Sequence, residues 1–147
     1  MNTILFRSGL AGFAAAALLV SAPAAFAETQ MYKATLTAAN QVPPNASKGT
    51  GALTSTYDTA TKKFTWTVTY SGLSGPPTAA HFHGPAAAGA NAGVVVPQKD
   101  GLASPMKGEA TLTDAQAADL QAGKWYFNIH TEANKGGEIR GQAMKGM

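Results

Sequence analysis

Apolar side chains recur at every second residue along most of this chain, and a β-strand, unlike an α-helix, places such a set on one face. Between Lys63 and Tyr70, aromatic and valine side chains alternate with Thr65, Thr67 and Thr69. Comparable runs at residues 31–38, 51–57, 78–83, 94–96, 107–112, 124–131 and 138–144 predict further short strands, separated by turns that contain glycine, proline or asparagine. The pattern therefore predicts an all-β chain.

One short helix is predicted within this series of strands. Thr113 and Gln116 form a capping-box pattern before residues 114–121, and Gly123 supplies a stop signal. The fold expected is an antiparallel β-sandwich with one short helix, although the same pattern also permits a barrel. The residues expected in its core occupy the inward phase of their strands: Phe64, Trp66, Val68, Phe82, Trp125, Phe127 and Ile129.

The first 27 residues have the order of a secretory signal peptide. Arg7 precedes an apolar run from Gly9 to Val20, and Ala25-Phe26-Ala27 is a small-x-small cleavage site. The run has about 12 residues, fewer than the roughly 20 that a membrane-spanning helix needs. We therefore expect a signal peptide at 1–27 and a single exported domain at 28–147 that has no transmembrane segment and is periplasmic or secreted.

Charge and composition exclude several function classes. The formal net charge is +3, and the basic residues are scattered rather than clustered, so nucleic acid is not an expected partner. The chain has no cysteine, so a metal site must use nitrogen and oxygen ligands. Neither a nucleophile elbow nor a phosphate-binding glycine loop is present, and the sequence does not identify which protein, if any, is a partner.

The three histidines are the main candidates for chemistry. His81 and His83 flank Phe82 in a predicted strand, so both imidazoles share the face opposite the core. His130 lies in a later strand, on the face opposite Trp125, Phe127 and Ile129. Three imidazoles from two strands can bind one metal ion, while the alternative is that they are solvated surface histidines.

Arg140 is the second kind of candidate. If the hairpin after His130 turns symmetrically about Lys135, residue 130 pairs with residue 140, and Arg140 stands beside His130. The alternative is a salt bridge between Arg140 and Glu132 or Glu138.

Three ordered motifs resemble the CHRD domain family. They are Thr78-Ala79-Ala80-His81-Phe82-His83-Gly84-Pro85, Tyr126-Phe127-Asn128-Ile129-His130-Thr131 and Asn134-Lys135-Gly136-Gly137-Glu138-Ile139-Arg140-Gly141, and the opening 36–44 fits as well. The resemblance covers nearly all of the predicted mature chain. It implies an exported protein, since bacterial single-domain members look like exported proteins of largely unassigned activity.

A weaker resemblance is to copper–zinc superoxide dismutase, which is also a β-sandwich, so the sandwich expected here is immunoglobulin-like or superoxide-dismutase-like. His81 and His83, then His130, then Arg140 follow the order of that family's His-x-His pair, late copper-binding histidine and anion-attracting arginine. The bridging histidine, the zinc ligands and the disulfide of that family are missing here.

Two functions follow as hypotheses. The first is a metalloprotein that binds copper through His81, His83 and His130 and reacts with a small anion such as superoxide, with Arg140 attracting the anion. Zinc in the same site would instead activate a water molecule. The second is a non-catalytic module that binds a protein or a cell surface.

Overall fold

The computed structural model describes residues 26–146. The predicted signal peptide falls almost wholly outside these described residues. Within them, no helix is long and apolar enough to cross a membrane.

The predicted strands are present, with boundaries that differ by at most two residues. They are β1 (Thr29–Thr37), β2 (Thr50–Asp58), β3 (Lys63–Ser71), β4 (Pro77–His83), β5 (Val94–Pro97), β6 (Met106–Thr111), β7 (Tyr126–Thr131), β8 (Ile139–Gln142) and β9 (Met144–Lys145). The last predicted strand, 138–144, is divided into β8 and β9, and a single turn of 3-10 helix follows β1 at Ala38–Asn40.

The one α-helix that the structure describes, α1, spans Asp114–Gln121 as predicted. Thr113 Oγ1 accepts a hydrogen bond from the Gln116 amide at 3.2 Å, and the Gln116 side chain accepts one from the Thr113 amide at 3.0 Å. This capping box satisfies N–H groups that the first helical turn leaves without partners. The helix packs against the core through Ala117 and Leu120.

The strands form one antiparallel sheet in the order β5-β4-β7-β8-β1-β2-β3-β6, with β9 beside β1. The predicted two-sheet sandwich is therefore not confirmed. Instead, the sheet curls until its edge strands approach one another. The Gln98 side chain, just after β5, donates to the Lys107 carbonyl on β6 at 2.8 Å and accepts from Trp66 Nε1 at 2.7 Å. The result is an almost closed barrel.

The core lies inside this curled sheet and is rich in aromatic rings. Phe82 on β4 contacts Phe64 on β3 and Phe127 on β7, with ring centroids 5.1 Å and 4.8 Å apart. All seven residues predicted to face inward are buried. Because the alternation assigns the core face of β4 and β7 correctly, it also places the histidines of both strands on the outer face.

Candidate metal centre

The predicted site residues lie on the outer face of three neighbouring strands. On β4, β7 and β8, His81 lies opposite Asn128, and Asn128 lies opposite Arg140. His83 and His130 are two residues further along their own strands, so they share this face. The strand pairing thus brings all four predicted site residues onto one surface.

The three imidazoles converge, as the sequence predicts. His81 Nδ1 lies 3.3 Å from His130 Nε2. One ring nitrogen from each of His81, His83 and His130 lies within 4.8 Å of the other two, and all three side chains are half-buried. Two ligands bound at about 2.1 Å to one ion are about 3.0 Å apart at a right angle and about 3.4 Å apart at the tetrahedral angle. The cluster is therefore close to the dimensions of a metal-binding site.

Backbone carbonyls orient two of the rings. His83 Nδ1 donates to the carbonyl of Ala92 at 2.9 Å, and His130 Nδ1 donates to the carbonyl of Lys135 at 2.8 Å. A neutral imidazole that carries its proton on Nδ1 has a lone pair on Nε2. Both rings therefore direct an unprotonated Nε2 towards the centre of the cluster.

Asn128 occupies the centre of this arrangement, although the sequence reasoning did not name it as a site residue. Its Oδ1 lies 3.0 Å from Nε2 of His83 and 3.0 Å from Nε2 of His130. The side chain is buried, and a Cβ added to Gly137 would lie 2.9 Å from Asn128 Nδ2, so the hairpin needs glycine there. The sequence signal that could have identified Asn128 as a site residue is its position, two residues before His130 and on the same face of the strand.

Burial keeps two of the imidazoles neutral. Desolvation lowers the pKa of His81, and the neighbouring His130 and His83 lower it further. Desolvation also lowers the pKa of His83, and it outweighs the Ala92 carbonyl and Asn128 Oδ1, which raise the pKa by accepting hydrogen bonds from the protonated ring. Metal ions bind the neutral form of imidazole, so both shifts favour ligation near neutral pH.

Tyr126 separates His83 from Arg140. The His83 ring is stacked on the Tyr126 ring with centroids 4.8 Å apart and an interplanar angle of 2°, and Arg140 Cζ lies 3.4 Å from the Tyr126 centroid. Because β4 and β8 flank β7, the imidazole and the guanidinium approach the tyrosine from opposite sides. Such a cation–π contact contributes about 0.5–2 kcal/mol.

The predicted surroundings of Arg140 are wrong in two respects. Arg140 pairs with Asn128, two residues from the His130 partner that was expected, because Ile129 pairs with Ile139 and the hairpin centres on Asn134. The alternative, a salt bridge from Arg140 to Glu132 or Glu138, is also absent within residues 26–146: Glu132 pairs with Lys135, and Glu138 accepts hydrogen bonds from hydroxyl groups.

Arg140 instead holds the loop between β4 and β5. Its Nη2 donates to the Ala90 carbonyl at 2.7 Å, and its Nη1 donates to Asn91 Oδ1 at 2.9 Å. Burial lowers the pKa of Arg140, yet arginine remains charged in proteins. The site therefore has a buried positive charge one tyrosine ring away from His83.

Glu138 is a buried carboxylate that the sequence reasoning considered only as a partner of Arg140. Its oxygens accept hydrogen bonds from the hydroxyls of Ser47, Ser74 and Thr131, each at 2.6 Å, and from the Ser74 amide at 2.8 Å. Burial by itself would raise the pKa of Glu138, but these hydrogen bonds outweigh it and lower the pKa to about 2. Glu138 thus fixes the start of β8 to two loops.

Comparison with known proteins adds one match. No curated protein and no solved structure matches this chain. The family model of the CHRD domain matches residues 32–143, which include all three histidines, Asn128 and Arg140. This match covers well over half of the 147 residues. The chain belongs to the CHRD domain family.

Proposed function

We propose that this protein is an exported metalloprotein that binds one copper ion through His81, His83 and His130 and reacts with a small anion such as superoxide. The observation that carries the proposal is the convergence of three imidazole nitrogens within 4.8 Å of one another. Imidazoles this close together disfavour each other's protonation, which keeps their lone pairs available to a metal ion.

The donor chemistry fits a cation. Nε2 of His83 and Nε2 of His130 both carry lone pairs, and Asn128 Oδ1 lies between them. In this orientation all three atoms are hydrogen-bond acceptors, so none of them can donate a hydrogen bond to another. A metal ion at this point would satisfy all three lone pairs.

Copper is the ion that we favour at this site. Imidazole is a good ligand for both copper and zinc, and among divalent first-row ions Cu(II) binds a given nitrogen site most tightly. Copper would supply one-electron redox chemistry, by which two superoxide anions and two protons are converted to O2 and H2O2. Zinc has no such chemistry, and in the same site it would favour hydrolysis or hydration instead.

Arg140 is the residue that we expect to attract the anion. Its guanidinium has no carboxylate partner within residues 26–146, so its charge is not neutralised locally. It also lines a cleft of about 360 Å³ between residues 39–44 and 88–89. A charge near a partly desolvated site raises the local concentration of an oppositely charged substrate, and salt reduces the effect.

Export is inferred from residues 1–27 and implies action in the periplasm or outside the cell. N-terminal sequencing of exported protein should begin at Glu28. A sequence that begins at Met1 would refute the cleavage, and with it the reason for placing the protein outside the cytoplasm.

The test of the metal site is copper content and affinity. Wild-type protein should bind one Cu(II) per chain, with nitrogen ligands visible in the electron paramagnetic resonance spectrum. Single replacements His81→Ala, His83→Ala and His130→Ala should each weaken binding by about tenfold or more. Asn45→Ala is the matched control. The Asn45 side chain donates hydrogen bonds to the carbonyls of Gly137 and Glu138, and none of its hydrogen bonds within residues 26–146 is to a histidine.

The test of the anion role compares Arg140→Lys with Arg140→Gln in copper-loaded protein. Both variants lose the planar guanidinium, but only lysine keeps the charge. We expect the glutamine variant to react with superoxide more slowly per bound copper ion, and with less dependence on ionic strength, than the lysine variant. Wild-type protein without stoichiometric metal would favour the alternative function, a non-catalytic binding module.

A further inference from the structure

The geometry points to Asn128 as a fourth ligand, through Oδ1, of the metal ion that His81, His83 and His130 are proposed to bind. The inference rests on the proposed function, and it changes the donor set from three nitrogens to three nitrogens and one oxygen. Amide oxygen is an established ligand type for divalent metal ions.

The first support is distance. Asn128 Oδ1 is 3.0 Å from both Nε2 atoms, and the remaining close pair, His81 Nδ1 and His130 Nε2, is 3.3 Å apart. Ligands at about 2.1 Å from one ion are separated by about 3.0 Å at a right angle and about 3.4 Å at the tetrahedral angle. The oxygen therefore already lies at the separation from two imidazoles that shared coordination requires.

The second support is rigidity. Asn128 is 4 % exposed and lies on β7, between His81 on β4 and Arg140 on β8. Its position is fixed by pairing on both sides, so the oxygen does not have to be recruited from a loop. A ligand held by paired strands loses little conformational freedom on binding a metal.

A competing arrangement is a rotated amide. Turned through 180°, Asn128 would present Nδ2, whose two hydrogens could be donated to Nε2 of His83 and of His130. In that arrangement the amide covers the lone pairs and must move before a metal binds. The two arrangements predict opposite effects of removing the amide, because loss of a ligand weakens binding and loss of a cover does not.

The experiment measures Zn(II) and Cu(II) affinity by competition with a chelator for wild type, Asn128→Ala and Asn128→Asp, with Asn45→Ala as the control. We expect Asn128→Ala to bind about tenfold more weakly. Asn128→Asp should bind at least as tightly as wild type, because a carboxylate oxygen replaces the amide oxygen at similar bond length. If Asn128→Ala does not fold, Asn128→Asp together with the spectroscopic measurement below carries the test.

The spectroscopic measurement uses protein labelled with ¹³C and ¹⁵N in asparagine and loaded with Zn(II). Coordination through Oδ1 should shift the Asn128 side-chain carbonyl resonance, identified by its absence in the variants. Unchanged or tighter binding by Asn128→Ala, or an unshifted carbonyl, would overturn the fourth ligand while leaving the three-histidine site intact. Absence of metal binding by wild type would instead overturn the proposed function itself.

Discussion

Replacing Glu138 by glutamine should remove a large part of the acid sensitivity of this fold. The carboxylate is buried and accepts four hydrogen bonds from Ser47, Ser74 and Thr131. The net effect of its surroundings is to lower the pKa of Glu138 from 4.5 to about 2. This difference corresponds to about 3 kcal/mol of stabilisation, since each unit of pKa difference between the folded and unfolded chain is worth about 1.4 kcal/mol.

The direction of the pH dependence follows from the lowered pKa. A carboxyl with a lower pKa in the folded state stabilises the fold fully above its unfolded pKa, and this contribution is lost as the pH falls towards the folded value. The wild type should therefore lose up to about 3 kcal/mol relative to Glu138→Gln between pH 5 and pH 2. Above pH 5 the wild type should be the more stable of the two, because the hydrogen bonds that Glu138 accepts are stronger to a charged carboxylate than to a neutral amide.

Denaturant unfolding of both proteins at pH 7, 5, 4, 3 and 2 measures this difference, and the remaining carboxylates cancel in the comparison. Glu132→Gln is the control, because Glu132 is exposed and its one ion pair within residues 26–146 is with Lys135. A gap between wild type and Glu138→Gln that stays constant from pH 5 to pH 2 would refute the reasoning, since it would mean that Glu138 titrates alike in the folded and unfolded chains.

Three further predictions concern the core, the β1–β8 contact and the site. Trp125 is fully buried and lies 5.8 Å, between ring centroids, from both Phe64 and Phe82, so Trp125→Ala should cost about 3–5 kcal/mol in denaturant unfolding; a loss below about 1 kcal/mol would contradict its burial. Gly141→Ala should cost about 1–3 kcal/mol, because the new methyl group would collide with the Thr35 carbonyl oxygen, whereas Gly93→Ala, where the methyl meets open space, is the control. Copper affinity should decrease as the pH falls, because protons compete for the imidazoles. Since burial lowers the pKa of His81 and His83, most of the decrease measured by titration should fall below the ordinary imidazole value near 6.5, and a decrease that is complete above that value would contradict this.

The strands and the helix could be predicted because each depends on local patterns. Alternation in β3 marks Phe64, Trp66 and Val68 as inward, and Thr113 with Gln116 marks the start of α1. The shape of the sheet could not be predicted in this way. Alternation determines which face of a strand is buried, but a sandwich and an almost closed barrel bury the same face. The choice depends on which strands pair. The pairing of β1 with β8 brings together residues about a hundred positions apart in the sequence, such as Thr37 and Arg140.

In the hairpin between β7 and β8, the predicted register is wrong, but the predicted strand face of Arg140 is correct. The expected centre was Lys135, whereas the pairing of Ile129 with Ile139 centres the turn on Asn134. Moving the centre by one residue moves each partner by two, and side chains two residues apart point to the same side. The partner of Arg140 was therefore wrong, while the face shared by Arg140 and His130 was right.

The orientation of the imidazoles is the part of the site that side-chain patterns cannot encode. The spacing of His81 and His83 is enough to place both rings on one face, but the tautomer of His83 depends on the carbonyl of Ala92, and that of His130 on the carbonyl of Lys135. Both carbonyls belong to loops, and every residue type carries the same carbonyl group. Their positions depend on contacts elsewhere: Arg140 bonds Ala90 and Asn91, and the Ala92 amide donates to the Tyr126 hydroxyl. Arg140 and Tyr126 therefore contribute to the site by fixing the loop that sets which nitrogen of His83 faces the centre, a contribution that adds to any attraction of an anion by the arginine.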